Sequence, residues 1–362
     1  MSTIVITGGG TGGHIYPGLA IAQALQKNNP ALKIHFVGAQ GGLEEKIWAQ
    51  YTYPYHLIQV GRLHSSVGRL QQLKTMLQMP FSLMHAAWIF FKIRPQLVLG
   101  VGGFASGPFI AIAKIFGAKT ALWEANAYPG LTNRLLARWV DINFIVFAEA
   151  KKYLTSAKII EAGMPVRAEF FLESEKNMKS QGARPRLLIF GGSQGARAIN
   201  DGVLQFLKTY PDILDQLSIK HQTGARDFER MKTEYGVLSD KIELVEYIHN
   251  MPQELQRADV VICRSGASTV AEVISCRKPA IFIPLPTAAD NHQYKNAKVI
   301  VDQHGAFLLE QKNLTPQSLH AILQEFLQNP QKLQAMKQNL EKFDFSNSTQ
   351  VIAQSLLKEI NV

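Results

Sequence analysis

The sequence predicts an α/β protein built from two Rossmann-like domains that face each other across a cleft. Apolar runs typical of strands alternate with runs typical of helices, which indicates a parallel sheet covered by helices on both faces. The series breaks near the middle of the 362 residues and then restarts. Each half therefore begins with a strand, a glycine-rich loop and a helix, the order found where doubly wound sheets bind ligands.

The strand-like runs are short and separated by helical patterns in both halves. The first half opens with STIVIT and the helical run PGLAIAQALQK, and the second half opens with RLLIF followed by the loop GGSQGARAIN. A helical, amphipathic tail spans residues 314–343. The further strands that we predict are KIHFVG, PQLVLGVG, KTALWE and INFIVF in the first half, and SIKHQTG, KIELVEYI, ADVVICRSG and PAIFIPLP in the second.

The predicted domains cover residues 1–165 and 166–362. The pattern breaks at Gly163-Met164-Pro165-Val166, and the stretch Glu173–Arg186 that follows is polar and rich in turn-forming residues. As an alternative within this division, the terminal helix packs back on the first domain. With 46% hydrophobic and 18% charged residues, the composition is that of an ordinary globular protein of two domains.

Neither the cysteines nor the start of the sequence points to secretion. Cys263 and Cys276 are the only two cysteines, and their spacing suggests neither a disulfide framework nor a zinc site; we expect both to be buried small apolar residues. The first residues, MSTIVITGGG, contain neither the basic nor the long apolar region of a signal peptide. We therefore expect a protein that is not exported.

Positive charge is concentrated in the first half. Residues 1–160 contain 15 Lys and Arg against 5 Asp and Glu, whereas residues 161–362 contain 23 of each class. No carboxylate occurs between Glu45 and Glu124. This asymmetry predicts an anionic partner for the first domain, and because the basic residues are spread out we do not expect nucleic acid.

The segment Leu77–Pro95 joins this basic region to a set of aromatic residues. Trp88, Ile89, Phe90 and Phe91 stand beside Lys92 and Arg94, and Pro80 and His85 interrupt the run, so that it is unsuited to a membrane span. Two interpretations remain open: a helix lying on an anionic membrane surface, and a buried helix of the α/β domain.

The opening loop TGGGTGGH, residues 7–14, formally contains G-x-G-x-x-G. A dinucleotide site also needs an acidic residue at the end of the second strand, and a P-loop needs a Lys-Ser or Lys-Thr pair, but neither is present. A phosphate-sized anion site at a helix N-terminus remains. The loops GVGGFASGP, residues 100–108, and FGGSQGARAIN, residues 190–200, have the same strand–loop–helix position, and three such loops favour two phosphate-bearing ligands.

The stretch Cys263–Leu285 supplies a candidate ribose contact. A strand is followed by Ser265-Gly266 and a helix in which Glu272 lies one turn after the free amides. Those amides suit a pyrophosphate, and the carboxylate suits two ribose hydroxyls. The alternative is that Glu272 only interacts with the helix dipole.

Five motifs together resemble the MurG family, the peptidoglycan UDP-N-acetylglucosamine transferases that build lipid II from lipid I. They are GGGTGGHIYPGLA, GGFASGP, EANAYPGLTNR, GGSQGARAIN and SGASTVAE followed by NHQYKNA, in family order from Thr7 to about Ala297. The resemblance implies the two-domain GT-B fold, with the lipid acceptor on the N-terminal domain and the nucleotide sugar on the C-terminal one. It implies no cofactor.

The resemblance also implies roles for individual residues. Glu272 would bind the ribose and Ile248 the uracil edge through its backbone; Asn126 and Gln293 would hold the sugar. The first loop then reads as the acceptor-side cradle, with Gly9, Gly10, Gly102 and Gly103 at the acceptor pyrophosphate. The remaining donor contacts would come from Thr11, Gly12, Gly13, Arg167, Ser193, Ala267, Ser268, Thr269, Val270 and Ala271.

Inverting transfer needs a base near the attacking hydroxyl and positive stabilisation of the departing diphosphate. His14 is the first candidate base, although a purely structural role for it stays open, and Glu124 is the second. Because no Asp-x-Asp occurs, we expect helix N-terminal amides and Arg167, not a metal, to meet the diphosphate. Some relatives carry two glutamines where this chain has His292-Gln293; we assign the sugar contact to Gln293 and leave His292 without a role.

The expected partners are UDP-N-acetylglucosamine, lipid I and an anionic membrane surface, with the protein peripheral on the cytoplasmic face of the inner membrane. The alternative function is another UDP-sugar-dependent GT-B transferase that acts on a different lipid. Two further classes, a non-catalytic binding protein and a nucleotide dehydrogenase, fit less well, the latter because the acidic residue after the second strand is missing.

Overall fold

The computed structural model describes residues 2–61, 69–156, 158–171 and 184–361. The chain divides into two compact units. The first unit comprises Met1–Val166 together with Phe345–Val362, and the second comprises Arg167–Asp344. The polar stretch that we predicted as a linker lies for its greater part, residues 173–183, outside the described residues.

The first unit contains a parallel sheet of seven strands in the order β3-β2-β1-β4-β5-β6-β7. Its central strands β1, β4, β5 and β6 are mostly buried, as expected where helices cover both faces of a sheet; Ile4, Val5 and Ile6 of β1 are all fully buried. The strands are β1 (Thr3–Thr7), β2 (Lys33–Ala39), β3 (Tyr55–Ile58), β4 (Leu97–Gly100), β5 (Lys119–Glu124), β6 (Ile142–Ile145) and β7 (Ile159–Glu161).

The described residues of this unit form six α-helices. The last of them comes from the end of the chain and packs against the first. The helices are α1 (Gly12–Asn28), α2 (Leu43–Trp48), α3 (Arg69–Ile93), α4 (Ser106–Ile115), α5 (Leu131–Leu136) and α14 (Ser348–Glu359).

The second unit contains a parallel sheet of six strands in the order β10-β9-β8-β11-β12-β13. Its strands are β8 (Arg186–Phe190), β9 (Ser218–Gln222), β10 (Ile242–Val245), β11 (Val260–Cys263), β12 (Ala280–Phe282) and β13 (Ala306–Leu308). Its helices are α6 (Arg197–Thr209), α7 (Ile213–Gln216), α8 (Phe228–Tyr235), α9 (Met251–Arg257), α10 (Ala267–Ser275), α11 (His292–Asp302), α12 (Pro316–Gln328) and α13 (Pro330–Leu340). The predicted helical tail is confirmed by α12 and α13.

Both sheets reverse their strand order beside their first strand, which is the place where doubly wound sheets bind ligands. In the first unit β1 lies between β2 and β4, and in the second β8 lies between β9 and β11. The loops that follow β1, β4, β8 and β11 therefore sit at these two switch points. The predicted class of two Rossmann-like sheets is confirmed, and the three glycine loops have the predicted strand–loop–helix position.

Helix α3 runs through Pro80 and has two different faces. Ile89 and Phe90 are only 1% and 6% exposed and pack in the core, so the inclusion of Phe90 in a membrane-facing cluster was wrong. Trp88 and Phe91 are 59% and 52% exposed. Among the described residues no helix combines the length and apolar character needed to cross a bilayer.

The two cysteines are free thiols in different surroundings. Cys263 is fully buried at the end of β11, as predicted, whereas Cys276 is only partly buried after α10. Burial raises the pKa of both thiols, that of Cys276 to about 12, and neither is a reactive thiolate at neutral pH.

Candidate active site

Three backbone amides of the first glycine loop donate hydrogen bonds to other parts of the unit. The amide of Gly8 donates to the carbonyl of Val37 (3.0 Å) and that of Gly9 to the carbonyl of Gly102 (3.1 Å). The amide of Gly10 donates to a carboxylate oxygen of Glu44 (2.8 Å). The amides of Gly9 and Gly10 therefore already have acceptors in the structure, and their contact with an acceptor pyrophosphate remains a prediction.

Other amides of the same region stay available. Within the part of the chain that the structure describes, the amides of Gly102 and Gly103 donate to no acceptor, and neither do those of Thr11, Gly12 and Gly13 at the start of α1. A helix N-terminus with free N–H groups favours an anion. The two glycine loops of this unit also touch closely, because a Cβ on Gly103 would lie 2.5 Å from the carbonyl oxygen of Gly9.

His14 lies in the first turn of α1 and is half-buried. Its Nδ1 is 2.9 Å from the carbonyl oxygen of Gly9, and since a carbonyl only accepts, Nδ1 carries the proton. In the neutral ring Nε2 then has the free lone pair. Nε2 lies beside Gly102, where a Cβ would come within 2.8 Å of it. The tautomer therefore leaves a nitrogen that is able to accept a proton.

Glu124, the second candidate base, ends β5 and is buried. One oxygen accepts from the amide and the side chain of Asn126 (2.9 and 3.1 Å). The other accepts from the Gly130 amide (2.9 Å) and the Asn133 side chain (2.7 Å). With both oxygens engaged, this carboxylate orients the loop that carries Asn126, and the geometry favours His14 as the base.

The start of α10 is the candidate anion site of the second unit. Gly266 is its N-cap, and among the described residues the amides of Ala267, Ser268 and Thr269 have no acceptor. The hydroxyl oxygens of Ser265 and Ser268 are buried and find no hydrogen-bond partner within the described part of the chain. Buried polar groups are normally paired, so this cluster of donors is suited to a bound anion.

Two residues predicted at this helix do not face the donors. Val270 and Ala271 are fully buried, and the amide of Val270 donates to the carbonyl of Gly266. Both side chains are thus shielded from solvent, and their contact with the donor remains a prediction. Sequence reasoning also missed the Ser265 hydroxyl as a donor, although a serine directly before a helix-capping glycine is a recognisable signal.

Glu272 follows one turn into α10. Burial raises the pKa of its carboxyl group to about 7, and the positive charge of Arg167 acts in the opposite direction. Arg167 is exposed, and its guanidinium carbon lies 5.1 Å from the centre of the Phe170 ring. The carboxyl group is therefore close to its titration midpoint at neutral pH, and hydroxyl donors would favour its ionised form.

The loop after β8 contains Ser193, which is exposed. The side chain of Gln222 donates to the carbonyl of Gly192 (2.9 Å) and fixes the start of this loop. Gly195 and Gly224 approach so closely that a Cβ on Gly195 would lie 1.9 Å from a backbone oxygen of Thr223. Ser193 and its backbone are thereby held at the same switch point as α10.

A buried polar network that the sequence did not reveal supports this loop. His221 contacts the Tyr235 hydroxyl (2.8 Å) and the Asn200 side chain (3.1 Å), and Asn200 donates to Asp227 (2.6 Å). Burial lowers the pKa of His221 to about 3, although the Asp227 charge acts in the opposite direction, so the ring is neutral. Asn200 stands in the predicted motif GGSQGARAIN, but its partners come from other strands and helices.

Two further predicted donor contacts of this unit lie after β10 and at the start of α11. Ile248 is buried after β10, and within the described residues its backbone N–H and C=O are unpaired. Gln293 accepts from the Leu285 amide through its Oε1 (3.0 Å), which leaves its NH₂ group as a donor. The Nδ1 of His292 donates a hydrogen bond to the carbonyl of Ala289 (2.8 Å).

Arg264 is a buried cation that sequence reasoning also missed. It directly precedes Ser265 and donates to the carbonyls of Ile283 and Pro284 (3.0 Å each) and to Gln311 (2.7 Å). No carboxylate of the described residues forms an ion pair with it. Burial lowers its pKa, yet a guanidinium stays charged. Its positive charge adds to the anion preference of the α10 N-terminus.

Two family models match the chain. The glycosyltransferase family 28 N-terminal domain matches residues 4–145, and the C-terminal domain of the same family matches residues 186–354.

Curated relatives are similar over nearly the whole length. A protein of Bdellovibrio bacteriovorus is 43% identical over 98% of both chains, and one of Myxococcus xanthus is 37% identical over 93% of this chain and 88% of its own. Both are named UDP-N-acetylglucosamine–N-acetylmuramyl-(pentapeptide) pyrophosphoryl-undecaprenol N-acetylglucosamine transferase.

Solved structures agree with this similarity. The crystal structure of Acinetobacter baumannii MurG has a TM-score of 0.82 at 25% identity and covers 99% of this chain and 100% of its own. The calicheamicin glycosyltransferase CalG4 has a TM-score of 0.70 at 13% identity, covers 100% of this chain and 98% of its own, and supports the fold alone. The predicted GT-B class is confirmed.

Proposed function

The chain belongs to the MurG family of N-acetylglucosamine transferases, and we propose that it transfers N-acetylglucosamine from UDP-N-acetylglucosamine to the muramyl 4-hydroxyl of lipid I, with inversion, to form lipid II. One observation carries the proposal: the chain is 43% identical in sequence, over nearly its full length, to a relative named for this reaction. The two sets of unpaired donors described above supply the physical support.

The second unit binds the nucleotide sugar in this proposal. The free amides of Ala267, Ser268 and Thr269 and the Ser268 hydroxyl hold the pyrophosphate, with Ser193 contributing from the neighbouring loop. Glu272 accepts from the ribose hydroxyls, and the unpaired backbone groups of Ile248 pair with the uracil edge. The specificity for a uridine nucleotide would then rest on backbone groups, which no side-chain substitution can alter directly.

Two side chains that protein hydrogen bonds already orient hold the sugar. Gln293 donates its NH₂ group to a sugar hydroxyl while the Leu285 amide holds its oxygen. Asn126 is oriented by Glu124 and contacts the N-acetylglucosamine from the first unit. Such pre-organisation lowers the entropic cost of binding.

Departure of UDP requires stabilisation of the negative charge on the diphosphate. The dipole and free amides of α10, the buried charge of Arg264 and the exposed Arg167 provide it. We expect treatment with EDTA to leave the transfer rate unchanged. Complete loss of activity that added metal restores would contradict this.

The acceptor binds to the first unit, where His14 acts as the general base. Its Nδ1–H bond to Gly9 keeps Nε2 unprotonated in the neutral ring, so Nε2 can take the proton of the attacking hydroxyl. Thr11, Gly12 and Gly13 approach the donor, and the amides of Gly102 and Gly103 are the remaining candidates for the acceptor pyrophosphate.

An exposed apolar stripe on the first unit is the proposed membrane-docking surface. Five side chains at helical spacing along α3 are 52–72% exposed: Leu77, Phe81, Met84, Trp88 and Phe91. Ile115 and Phe116 at the end of α4 extend the stripe, with the rings of Phe91 and Phe116 4.6 Å apart.

Cations accompany this stripe. The Lys92 ammonium lies 5.2 Å from the centre of the Trp88 ring, and Arg94 follows at the end of the helix. An apolar stripe beside basic side chains suits an anionic bilayer surface. We propose a peripheral protein on the cytoplasmic face of the membrane, where lipid I presents its pyrophosphate.

A transfer assay with radiolabelled UDP-N-acetylglucosamine tests the function. We expect labelled lipid II and release of UDP with a lipid I analogue, and no release with diacylglycerol. Transfer to diacylglycerol but not to lipid I would instead support a related GT-B transferase with another lipid acceptor. Binding of the nucleotide sugar without any transfer would contradict an enzymatic role.

A further inference from the structure

Glu44 is a buried carboxylate that the proposed reaction does not use. It lies in the first turn of α2 and its side chain is 1% exposed. One oxygen accepts from the amide of Gly10 (2.8 Å) and the other from the amide of Ala39 (2.9 Å). Among the described residues it forms no ion pair, so backbone amides alone hold its charge.

Three positions around this carboxylate require glycine, because the Glu44 side chain lies where a Cβ atom would be. A Cβ on Gly9 would lie 2.3 Å from its atoms, and a Cβ on Gly42 would lie 2.4 Å away. A Cβ on Gly38 would come within 2.7 Å of the Glu44 side chain. Part of the glycine content of this loop thus makes room for a side chain of the protein itself.

A carboxylate surrounded by glycines and bound by backbone amides has the chemistry of a phosphate in a glycine-rich loop. Here the anion is covalently part of the chain. We propose that Glu44 is a built-in anion that fixes the first glycine loop and acts as the positioning residue for His14. This inference rests on the proposed role of His14 as the base.

The connection between the two residues is short and consists of three hydrogen bonds. Glu44 holds the amide of Gly10, and the neighbouring Gly9 is held by the carbonyl of Gly102. The carbonyl of Gly9 accepts the proton of His14 Nδ1 and so sets the tautomer. A loop released at Gly10 frees the Gly9 carbonyl to turn, and the ring loses the partner that keeps Nε2 unprotonated.

Substitution of Glu44 by Gln tests the charge at nearly constant size. The Gln oxygen can accept from one amide, but its NH₂ group then faces the other N–H, and a donor–donor contact replaces a hydrogen bond. We expect kcat to fall by about 10- to 100-fold, within the contribution of a general base. KM for UDP-N-acetylglucosamine and UDP binding by calorimetry should be unchanged, because the donor contacts lie mainly in the second unit.

The decisive readout is the imidazole tautomer of His14. In ¹⁵N-labelled protein, long-range ¹H–¹⁵N spectra should show a proton on Nδ1 in the parent chain and a shift toward a proton on Nε2 in E44Q. Glu45→Gln is the matched control, since the neighbouring Glu45 is only half-buried and accepts from the Gly41 amide (3.1 Å). It should change neither the spectrum nor kcat.

A second variant separates anion binding from packing. Glu44→Ala leaves a space lined by amides, and sodium formate should restore both the tautomer and part of kcat, whereas sodium chloride at equal ionic strength should not. An unchanged His14 tautomer in folded E44Q, or no rescue of folded E44A by formate, would overturn the proposal. The tautomer and the rescue of it are measured without substrate, so they stay informative if the proposed reaction fails.

Discussion

The two units use glycine-rich switch points in opposite ways. In the first unit the amides of Gly9 and Gly10 already donate to protein groups, one of them the Glu44 carboxylate. In the second unit the amides of Ala267 and Ser268 and the Ser268 hydroxyl have no partner among the described residues. A glycine loop therefore does not by itself indicate a nucleotide site. Its amides can bind a ligand only where no protein group already accepts from them.

The units also differ in charge and surface. The first half of the chain carries the whole positive excess, and its unit displays the apolar stripe on α3. The second half is neutral overall and concentrates its donors at α10. In the proposed function, the first unit carries the acceptor site, the membrane surface and the base, and the second unit binds the leaving group. The following experiments test that division.

His14→Ala should produce the largest effect. Loss of the base is expected to lower kcat by roughly 10²- to 10⁴-fold, while UDP binding to the second unit stays the same. Transfer to lipid I and calorimetry with UDP measure the two quantities. His320→Ala, which removes a ring stacked on Tyr210 away from both switch points, is the control. Near-normal turnover in H14A would leave His14 with only a structural role.

The double substitution Trp88→Ser and Phe91→Ser tests the membrane surface. Each exposed ring contributes about 1.5 kcal/mol or more when buried in a bilayer, so binding to anionic vesicles should weaken by roughly 100-fold. Thermal stability should not change. Phe90→Ser, one position from Phe91, should instead destabilise the fold by about 3 kcal/mol or more, because this ring is in the core. Undiminished vesicle binding by the double variant would remove α3 from the docking surface.

Glu272 should make donor binding depend on pH. Ribose hydroxyls favour the ionised carboxylate, whose pKa is raised to about 7 in the free protein, so UDP affinity should fall as the pH drops below 7. Glu272→Gln should remove this pH dependence and weaken binding at pH 8 by roughly 10-fold. Glu246→Gln, on the exposed loop after β10, should keep the slope. A pH-independent affinity in the parent chain would contradict the ribose contact.

The same shift predicts the sign of a stability effect in the absence of ligand. The folded state keeps a proton on Glu272 between about pH 4.5 and 7 that the unfolded chain releases. The contribution of this residue to stability therefore decreases as pH rises through that window, and UDP should offset the loss.

Ser268→Ala should have the smallest effect. Its buried hydroxyl has no partner, so removing it should leave thermal stability unchanged or slightly higher, while UDP binding weakens by about fivefold. Thr315→Ala, which removes the side-chain cap of α12, is the opposite control: it should lower stability by about 1 kcal/mol and leave UDP binding intact. A Ser268 variant that loses stability but binds UDP normally would place this hydroxyl outside the donor site.

The sequence predicted the fold and the loops well because both depend on local patterns. Apolar runs and glycines placed the strands and switch points, but β3, β7 and β13, of only three or four residues, were missed. The status of the amides could not be predicted. Gly9 and Gly10 are engaged by residues 93 and 34 positions away, Gly102 and Glu44, and such pairings arise only in the folded chain.

Other errors came from ignoring periodicity that was visible in the sequence. Phe90 and Phe91 are neighbours, but successive residues of a helix point about 100° apart, so one faces the core and one does not. The buried network of His221, in contrast, joins β9 to α6 and α8 and has no local signature.

The position of α14 has a consequence for synthesis on the ribosome. This helix buries Ile352 and Leu356 in the first unit and ties Gln350 to Asn28 of α1 (3.1 Å). The ribosome makes the whole second unit before it makes these residues. We expect the half of the chain that is synthesised first to complete its folding last. Until α14 has been made, the face of α1 that it covers stays exposed and is able to bind chaperones.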